Sequence, residues 1–281
     1  MFKLLLFVLA ALLVAVSGAG ASGTATPKRI VSLSATATES LFAIGAGPQV
    51  IAADDQSDYP KNAPKTSLSG FTPNVEAIAG YKPDLVIVAY NPNNLVSTLR
   101  GLGIRVLEQD AATSLADAYG QITALGKITG HARRAAYVVA TMKKRIAGLV
   151  KAGTPRARGL TVYHELGPDL YSATSSTFIG KVYALFGLKN IADAADSAGG
   201  GYPKLSAEYV VSQSPDLIVL ADITCCQQSP RTVASRPGWS SVKAVRTGTI
   251  VRIDDSIASR WGPRIVNFVR AVAAALAHVK A

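Results

Sequence analysis

Cysteine is almost missing from this 281-residue chain, and the two that occur, Cys225 and Cys226, are neighbours. Adjacent cysteines cannot staple distant segments together. Consecutive Cα atoms stand about 3.8 Å apart, below the usual disulfide range of about 4.4–6.8 Å, so a bond between them closes a strained ring; an oxidising compartment makes it possible, and we expect Cys225 and Cys226 to form this vicinal disulfide. Histidine is scarce as well. His131, His164 and His278 fall on separate elements, which argues against a three-histidine metal cage; His164, at a predicted strand end, is the one that could reach a cleft. His164-Glu165 lacks a second histidine one turn on and so is no zinc-protease helix. Gly45-Ala-Gly47-Pro lacks the third glycine and the lysine of a phosphate-cradling loop, and no Gly-x-Ser-x-Gly elbow occurs. We therefore expect no metal site, no cofactor and no enzyme. An enzyme would need an acid–base pair, and the nearest candidates, Asp54-Asp55 and Asp254-Asp255, read as loop carboxylates after strands.

Acidic residues are outnumbered, 18 Asp and Glu against 29 Lys and Arg, giving a net charge of +11. The basic residues are dispersed, the densest cluster being Lys143-Lys144-Arg145, which fits a solvated surface better than a nucleic-acid partner. One long apolar run is present, Leu4 to Val16, preceded by Lys3 and followed by small residues. It is shorter than the roughly 20 residues that span a bilayer and reads as a secretory signal ending near Ala21. No cysteine lies at that junction to take a lipid, so the expected product is a soluble periplasmic chain.

Beyond the leader, short apolar runs alternate with segments of helical period. Arg29 to Leu33, Leu85 to Ala89, Gly159 to Tyr163, Leu217 to Leu220 and Thr249 to Ile253 read as strands of parallel α/β lobes. A helical pattern from about His131 to Val150 carries Ala135, Val138, Val139, Met142, Ile146 and Leu149 on one face and is about 30 Å long. The glycine and proline of Lys151-Ala-Gly-Thr-Pro-Arg are expected to end it. The chain thus divides into a leader over 1–21, a first lobe over 28–124, a connecting helix over 125–153 and a second lobe over 157–281.

An internal repeat supports two similar lobes. Asn74-Val-Glu76-Ala-Ile leads to Lys82-Pro-Asp-Leu-Val-Ile-Val88, and Ser206-Ala-Glu208-Tyr-Val leads to Ser214-Pro-Asp-Leu-Ile-Val-Leu220, at a constant offset of 132. Each copy reads as a capped helix, a Pro-Asp turn and a buried strand. Leu41 to Gly45 and Tyr183 to Gly187 form a weaker echo, each a helix ending at glycine. Ligands of open α/β sheets sit beyond the carboxyl ends of the strands. There the sequence places Tyr59, Phe71, Tyr90, Tyr163, Tyr171, Tyr202 and Trp261, flat apolar faces suited to a large planar ligand.

These residues resemble a known group. Arg29-Ile-Val-Ser-Leu-Ser34 with Thr38-Glu39-Ser-Leu-Phe-Ala-Ile-Gly-Ala46, Ser57-Asp-Tyr-Pro60, Arg236-Pro-Gly-Trp239 and Gly262-Pro-Arg-Ile-Val266, together with the repeat, are similar to the helical-backbone class of ABC-transporter solute-binding proteins. That class includes vitamin B12, ferric-siderophore and haem carriers. The resemblance implies two lobes with mainly parallel sheets joined by one long backbone helix, the class III periplasmic binding protein fold, and little opening or closing. Among its members the chain looks most like the vitamin B12 binders, in which aromatics of both lobes sandwich the corrin. The matching positions are Tyr59, Phe71, Tyr90, Tyr163, Tyr171 and Tyr202, and Arg260-Trp261 matches a segment lining the cleft. The ligand implied is a corrinoid, with a ferric siderophore or haem as the alternative. The resemblance also implies a monomer that docks through Glu76 and Glu208 on arginines of a membrane permease with its ATPase subunits.

Overall fold

The computed structural model describes residues 25–279, so the leader expected over 1–21 lies outside the described residues. The first lobe runs β1 (Ile30–Leu33), α1 (Ala35–Ala43), β2 (Val50–Ala53), α2 (Val75–Gly80), β3 (Leu85–Val88), α3 (Leu95–Gly101), β4 (Val106–Glu108) and α4 (Leu115–Ile128). A single helix, α5 (Ala132–Ala157), leads to the second lobe. There follow β5 (Thr161–Glu165), α6 (Phe178–Ala184), β6 (Lys189–Asn190), α7 (Ala207–Gln213), β7 (Leu217–Leu220), α8 (Pro230–Ala234), α9 (Lys243–Thr247), β8 (Ile250–Arg252), α10 (Asp255–Ser259) and α11 (Ile265–His278). The sequence pattern missed β2, β4 and β6, three of the four strands at the sheet edges.

Both sheets are parallel and share one topology, β2-β1-β3-β4 and β6-β5-β7-β8. The repeat is structural as well as sequential. Ile30 pairs with Leu85 and Val162 with Leu217, and both residues of the second pair lie 132 positions beyond those of the first. Asn74 and Ser206 cap α2 and α7, accepting the amides of Ala77 and Tyr209 at 2.9 and 3.1 Å. The aspartates of the Pro-Asp turns tie down the neighbouring strand. Asp84 accepts the amides of Lys28 and Arg29, and Asp216 accepts the amide and hydroxyl of Thr161. The weaker echo holds too, since Gly45 and Gly187 both take positive φ just after α1 and α6.

Each sheet is covered on both faces, which is why the central strands β3 and β7 are continuous apolar runs. Val31, Val86 and Val88 face a layer containing Ile78 of α2 and Leu95 and Leu99 of α3, while Ile218 and Leu220 face one containing Val210 of α7 and Val233 of α8. The opposite faces share one core. Ile30, Leu85 and Ile87 of the first sheet join Val162, Leu217 and Val219 of the second through Ile122 of α4, Met142 of α5 and Val272 of α11. The lobes are therefore not separate hydrophobic units.

Helix α5 has 26 residues and buries Ala135, Val139, Met142, Ile146, Gly153 and Ala157 against α4 and α11. At about 1.5 Å per residue it is about 39 Å long. It starts at Ala132, after a break at Thr129–His131, and it does not stop at the glycine and proline signal. Gly153 is a packing residue: a Cβ there would come within 2.7 Å of the Phe186 ring. Pro155 sits in the last turn, where its ring removes just one amide, and the helix continues to Ala157. No helix among the described residues is long and apolar enough to cross a membrane.

Candidate ligand cleft

Parallel strands deliver their loops to one end of each sheet. In the first lobe these loops carry Asp54 to Tyr59 and Phe71 after β2 and Tyr90 after β3; in the second they carry Tyr171 after β5, Asp222 to Cys226 after β7, and Asp254 to Arg260 at β8 and α10. The two carboxyl ends face one another, because Arg260 reaches across to the first lobe. Its guanidinium donates to Asp58 Oδ1 at 2.6 Å and to the Gln56 carbonyl at 2.8 Å, and the ion pair holds the Asp58 carboxyl below the ordinary carboxylate range despite its partial burial.

Around this junction five large aromatic side chains stay in solvent. Phe71 is 68% exposed, Tyr90 55%, Tyr202 51%, and Tyr59 and Tyr171 each 43%. Burying such a side chain is worth about 1.5–3 kcal/mol, so five left exposed at the loop ends of two facing sheets mark a surface made to be covered. Tyr202 lies on the loop entering α7, and Tyr171 is bridged to Lys204 of that same loop, so the two belong to one rim.

Tyr163 lies away from the cleft, and Trp261 and Arg260 are engaged in bonds between the lobes. Tyr163 is fully buried, because β5 runs on to Glu165 and turns Tyr163 into the second-lobe core, edge-on to Trp239 at 6.1 Å with its hydroxyl donating to Glu165. Trp261 packs edge-on to Phe178 against the shared core and donates its ring N–H to Gln121 Oε1 at 2.8 Å. Arg260 is occupied by Asp58. Trp261 and Arg260 thus join the lobes instead of presenting free groups to a ligand. His164 does not reach the cleft. It is buried beside Phe268, its Nδ1 2.6 Å from the Tyr183 hydroxyl, and burial lowers its pKa to about 3, so it stays neutral.

The Gly262-Pro-Arg264 motif completes the junction. Arg264 gives its amide and Nε to the buried Glu39 at 2.8 and 2.7 Å and lies 4.1 Å from the centre of the Tyr59 ring. Gly262 permits this, since a Cβ would fall 2.9 Å from Glu39 Oε1. Tyr59 consequently has one ring face covered by a cation. It also lines a groove of about 470 Å³ with Phe42, Tyr137, Arg145 and Arg264.

Below the second-lobe loops lies a polar cluster that sequence reasoning did not find. Arg236 makes two 2.6 Å bonds to the buried Glu165 and stacks on Trp239, giving a role to the Arg236-Pro-Gly-Trp239 motif. Asp222, immediately beyond β7, is buried with neither carboxylate oxygen partnered. Burial first, and the adjacent Glu165 second, push its pKa up to about 7. A protonated Asp222 removes a buried negative charge from beside Glu165. The Asp222 carbonyl in turn accepts the amides of Cys226 and Gln228. Cys225 and Cys226 lie side by side on this loop, Cα atoms 3.8 Å apart, and Asp255 accepts the amides of Thr224 and Cys225. Asp254 caps α10 through the Ser256 amide, and Asp54 accepts from the Ser57 hydroxyl at 2.6 Å. The carboxylates weighed as acid–base pairs are thus engaged in loop structure. Glu76 and Glu208 are exposed in the first turns of α2 and α7, at matching places in the two lobes.

Two like lobes on a rigid helical spine, with an aromatic-rimmed cleft between the carboxyl ends of their sheets, define a solute-binding architecture. The chain belongs to the periplasmic binding protein family, whose model matches residues 30–257. It is 34% identical over 251 residues to a cobalamin-binding protein of Halobacterium salinarum, covering 85% of this chain and 67% of that one. Among solved structures it is similar to a periplasmic vitamin B12 binding protein of Vibrio cholerae (TM-score 0.72, 25% identity, 89% of this chain and 97% of that one). A periplasmic heme-binding protein of Roseiflexus sp. RS-1 shares the fold (TM-score 0.76, 24% identity, 90% and 99%).

Proposed function

We propose that the protein captures a cobalamin-type corrinoid outside the cytoplasm and delivers it to the permease of an ABC importer. The observation that carries this reading is the set of five exposed aromatic side chains rimming the junction of two facing sheets. Their flat faces match the wide macrocycle of a corrinoid better than they match an ion or a sugar acid. Two of the three similar proteins, from Halobacterium salinarum and Vibrio cholerae, are named for cobalamin or vitamin B12, which supports the same ligand class, and the third is named for heme. Four of the five are tyrosines, whose phenol oxygens can ligate ferric iron, so haem or a ferric siderophore is the rival ligand. In this reading residues 1–21 direct export and are removed, the mature protein works as a periplasmic monomer, and Glu76 and Glu208 meet basic residues of the permease.

Titration calorimetry with cyanocobalamin, haemin and a ferric hydroxamate decides between the ligands. We expect saturable corrinoid binding with Kd at or below about 1 μM, about −8 kcal/mol. Binding of the iron compounds alone would reject the corrinoid.

A further inference from the structure

Between Asp117 and Glu165 the sequence contains no acidic residue, and the structure rolls most of that stretch into α5. Seven of the chain's 29 basic residues stand on this one helix. Arg133, Lys144 and Lys151 fall on one line of the helix. Arg134, Arg145 and Arg156 form a second beside it at 11-residue spacing, about 16 Å per step. Lys143 lies on the opposite flank, stacked over Tyr119. All seven are solvent-exposed, and the four ion pairs among the described residues use Arg236, Lys243, Arg260 and Arg264 instead. Tyr137, 61% exposed with Arg134 over its ring, stands between the two lines.

From this unpaired basic face we propose that α5 is a docking surface for an anionic phospholipid bilayer. The cations extend over about 35 Å, several times the screening length of about 8 Å, so no small anion can engage them together. The occupant must be an extended array of negative charge. The face is the outer side of a single cylinder, which a planar headgroup surface can meet, and long basic stems with a tyrosine among them suit the headgroup layer. The setting also favours lipid: on the reading above, the protein works beside a bilayer that holds its permease. Glu76 and Glu208 lie on α2 and α7, across each sheet from the layer containing α5, so the basic face and the acidic knobs are separate surfaces.

The test is flotation of the full chain with vesicles of phosphatidylcholine alone or with 30% phosphatidylglycerol, in low and high salt. We expect binding to the anionic vesicles, lost in high salt and absent from the neutral ones. Each basic residue near an anionic bilayer strengthens binding several-fold, so Arg133→Gln, Lys144→Gln, Lys151→Gln and Arg156→Gln together should weaken it at least tenfold. The control variant, Lys61→Gln, Lys65→Gln, Arg231→Gln and Arg246→Gln, removes the same charge elsewhere and should weaken it less than threefold. Equal loss in both variants, no binding to anionic vesicles in low salt, or α5-dependent binding to single-stranded DNA with none to vesicles would each overturn the proposal. Cyanocobalamin affinity, measured in parallel, should be unchanged in the α5 variant; failure of all forms to bind cyanocobalamin would count against the ligand reading and leave the vesicle result to stand by itself.

Discussion

Phe71 and Tyr202 sit on opposite lobes with more than half of each side chain exposed. Each should contribute to the bound state through area covered on ligand entry. Replacing either with alanine is expected to weaken corrinoid binding by about 1–2 kcal/mol, read as a five- to thirtyfold rise in Kd. Unchanged affinity in both variants would remove them from the site. Asp222 predicts a pH dependence of stability. Its folded pKa of about 7 lies above the ordinary 3.8, so between these values the folded chain holds a proton that the unfolded chain has lost. Stability from this group is present below pH 4, falls as pH rises through that window and levels off above 7. Asp222→Asn, which stays neutral beside Glu165, should flatten that slope and leave the protein about 1–3 kcal/mol more stable than wild type at pH 8. Denaturant titrations at pH 5 and pH 8 provide the comparison. These residues also mark where sequence reading stopped. Phe71, Tyr90, Tyr171 and Tyr202 were legible because strand ends fix loop positions. Tyr163 was misplaced because β5 includes His164 and Glu165, polar residues tolerated in a core only through Tyr183 and Arg236. Arg236 lies 71 positions from Glu165, and no local pattern reports that.

At the scale of elements, the repeat was the most legible feature, since capped helix, Pro-Asp turn and buried strand recur at one offset and each has a local cause. The end of α5 was not. A glycine and a proline ordinarily stop a helix, but here the Phe186 ring leaves no room for a side chain at Gly153, and Pro155 falls in the last turn. Gly153→Val should lower stability by about 2 kcal/mol or more, because the Phe186 ring is in the way. Gly148, on the open side of the same helix, has no neighbour there; Gly148→Ala should be neutral or stabilise by up to about 1 kcal/mol. Thermal melts of the two variants separate packing from propensity. The loop after β7 carries the adjacent cysteines, and mass spectrometry after alkylation without reductant should find neither thiol free. Two alkylated cysteines would show the reduced pair.

For the whole molecule, the matched positions of Glu76 and Glu208 make a transport prediction. Exposed carboxylates at helix starts contribute about 0.3–1 kcal/mol locally, but complementary charges govern orientation and association rate. Glu76→Ala combined with Glu208→Ala is expected to leave ligand affinity in solution within twofold. Vesicle uptake at limiting binding protein should fall at least tenfold. Undiminished uptake would reduce both residues to helix caps. The core that runs from one sheet through α4, α5 and α11 to the other has a further consequence. Neither half can melt and leave the other intact, because the same buried side chains, Ile122, Met142 and Val272 among them, stabilise both. The chain should therefore give a single endotherm whose calorimetric and van't Hoff enthalpies agree, and a bound ligand should move that one peak upward without splitting it. Cutting the chain between the lobes would yield two fragments that are each unfolded, despite their near-identical topology.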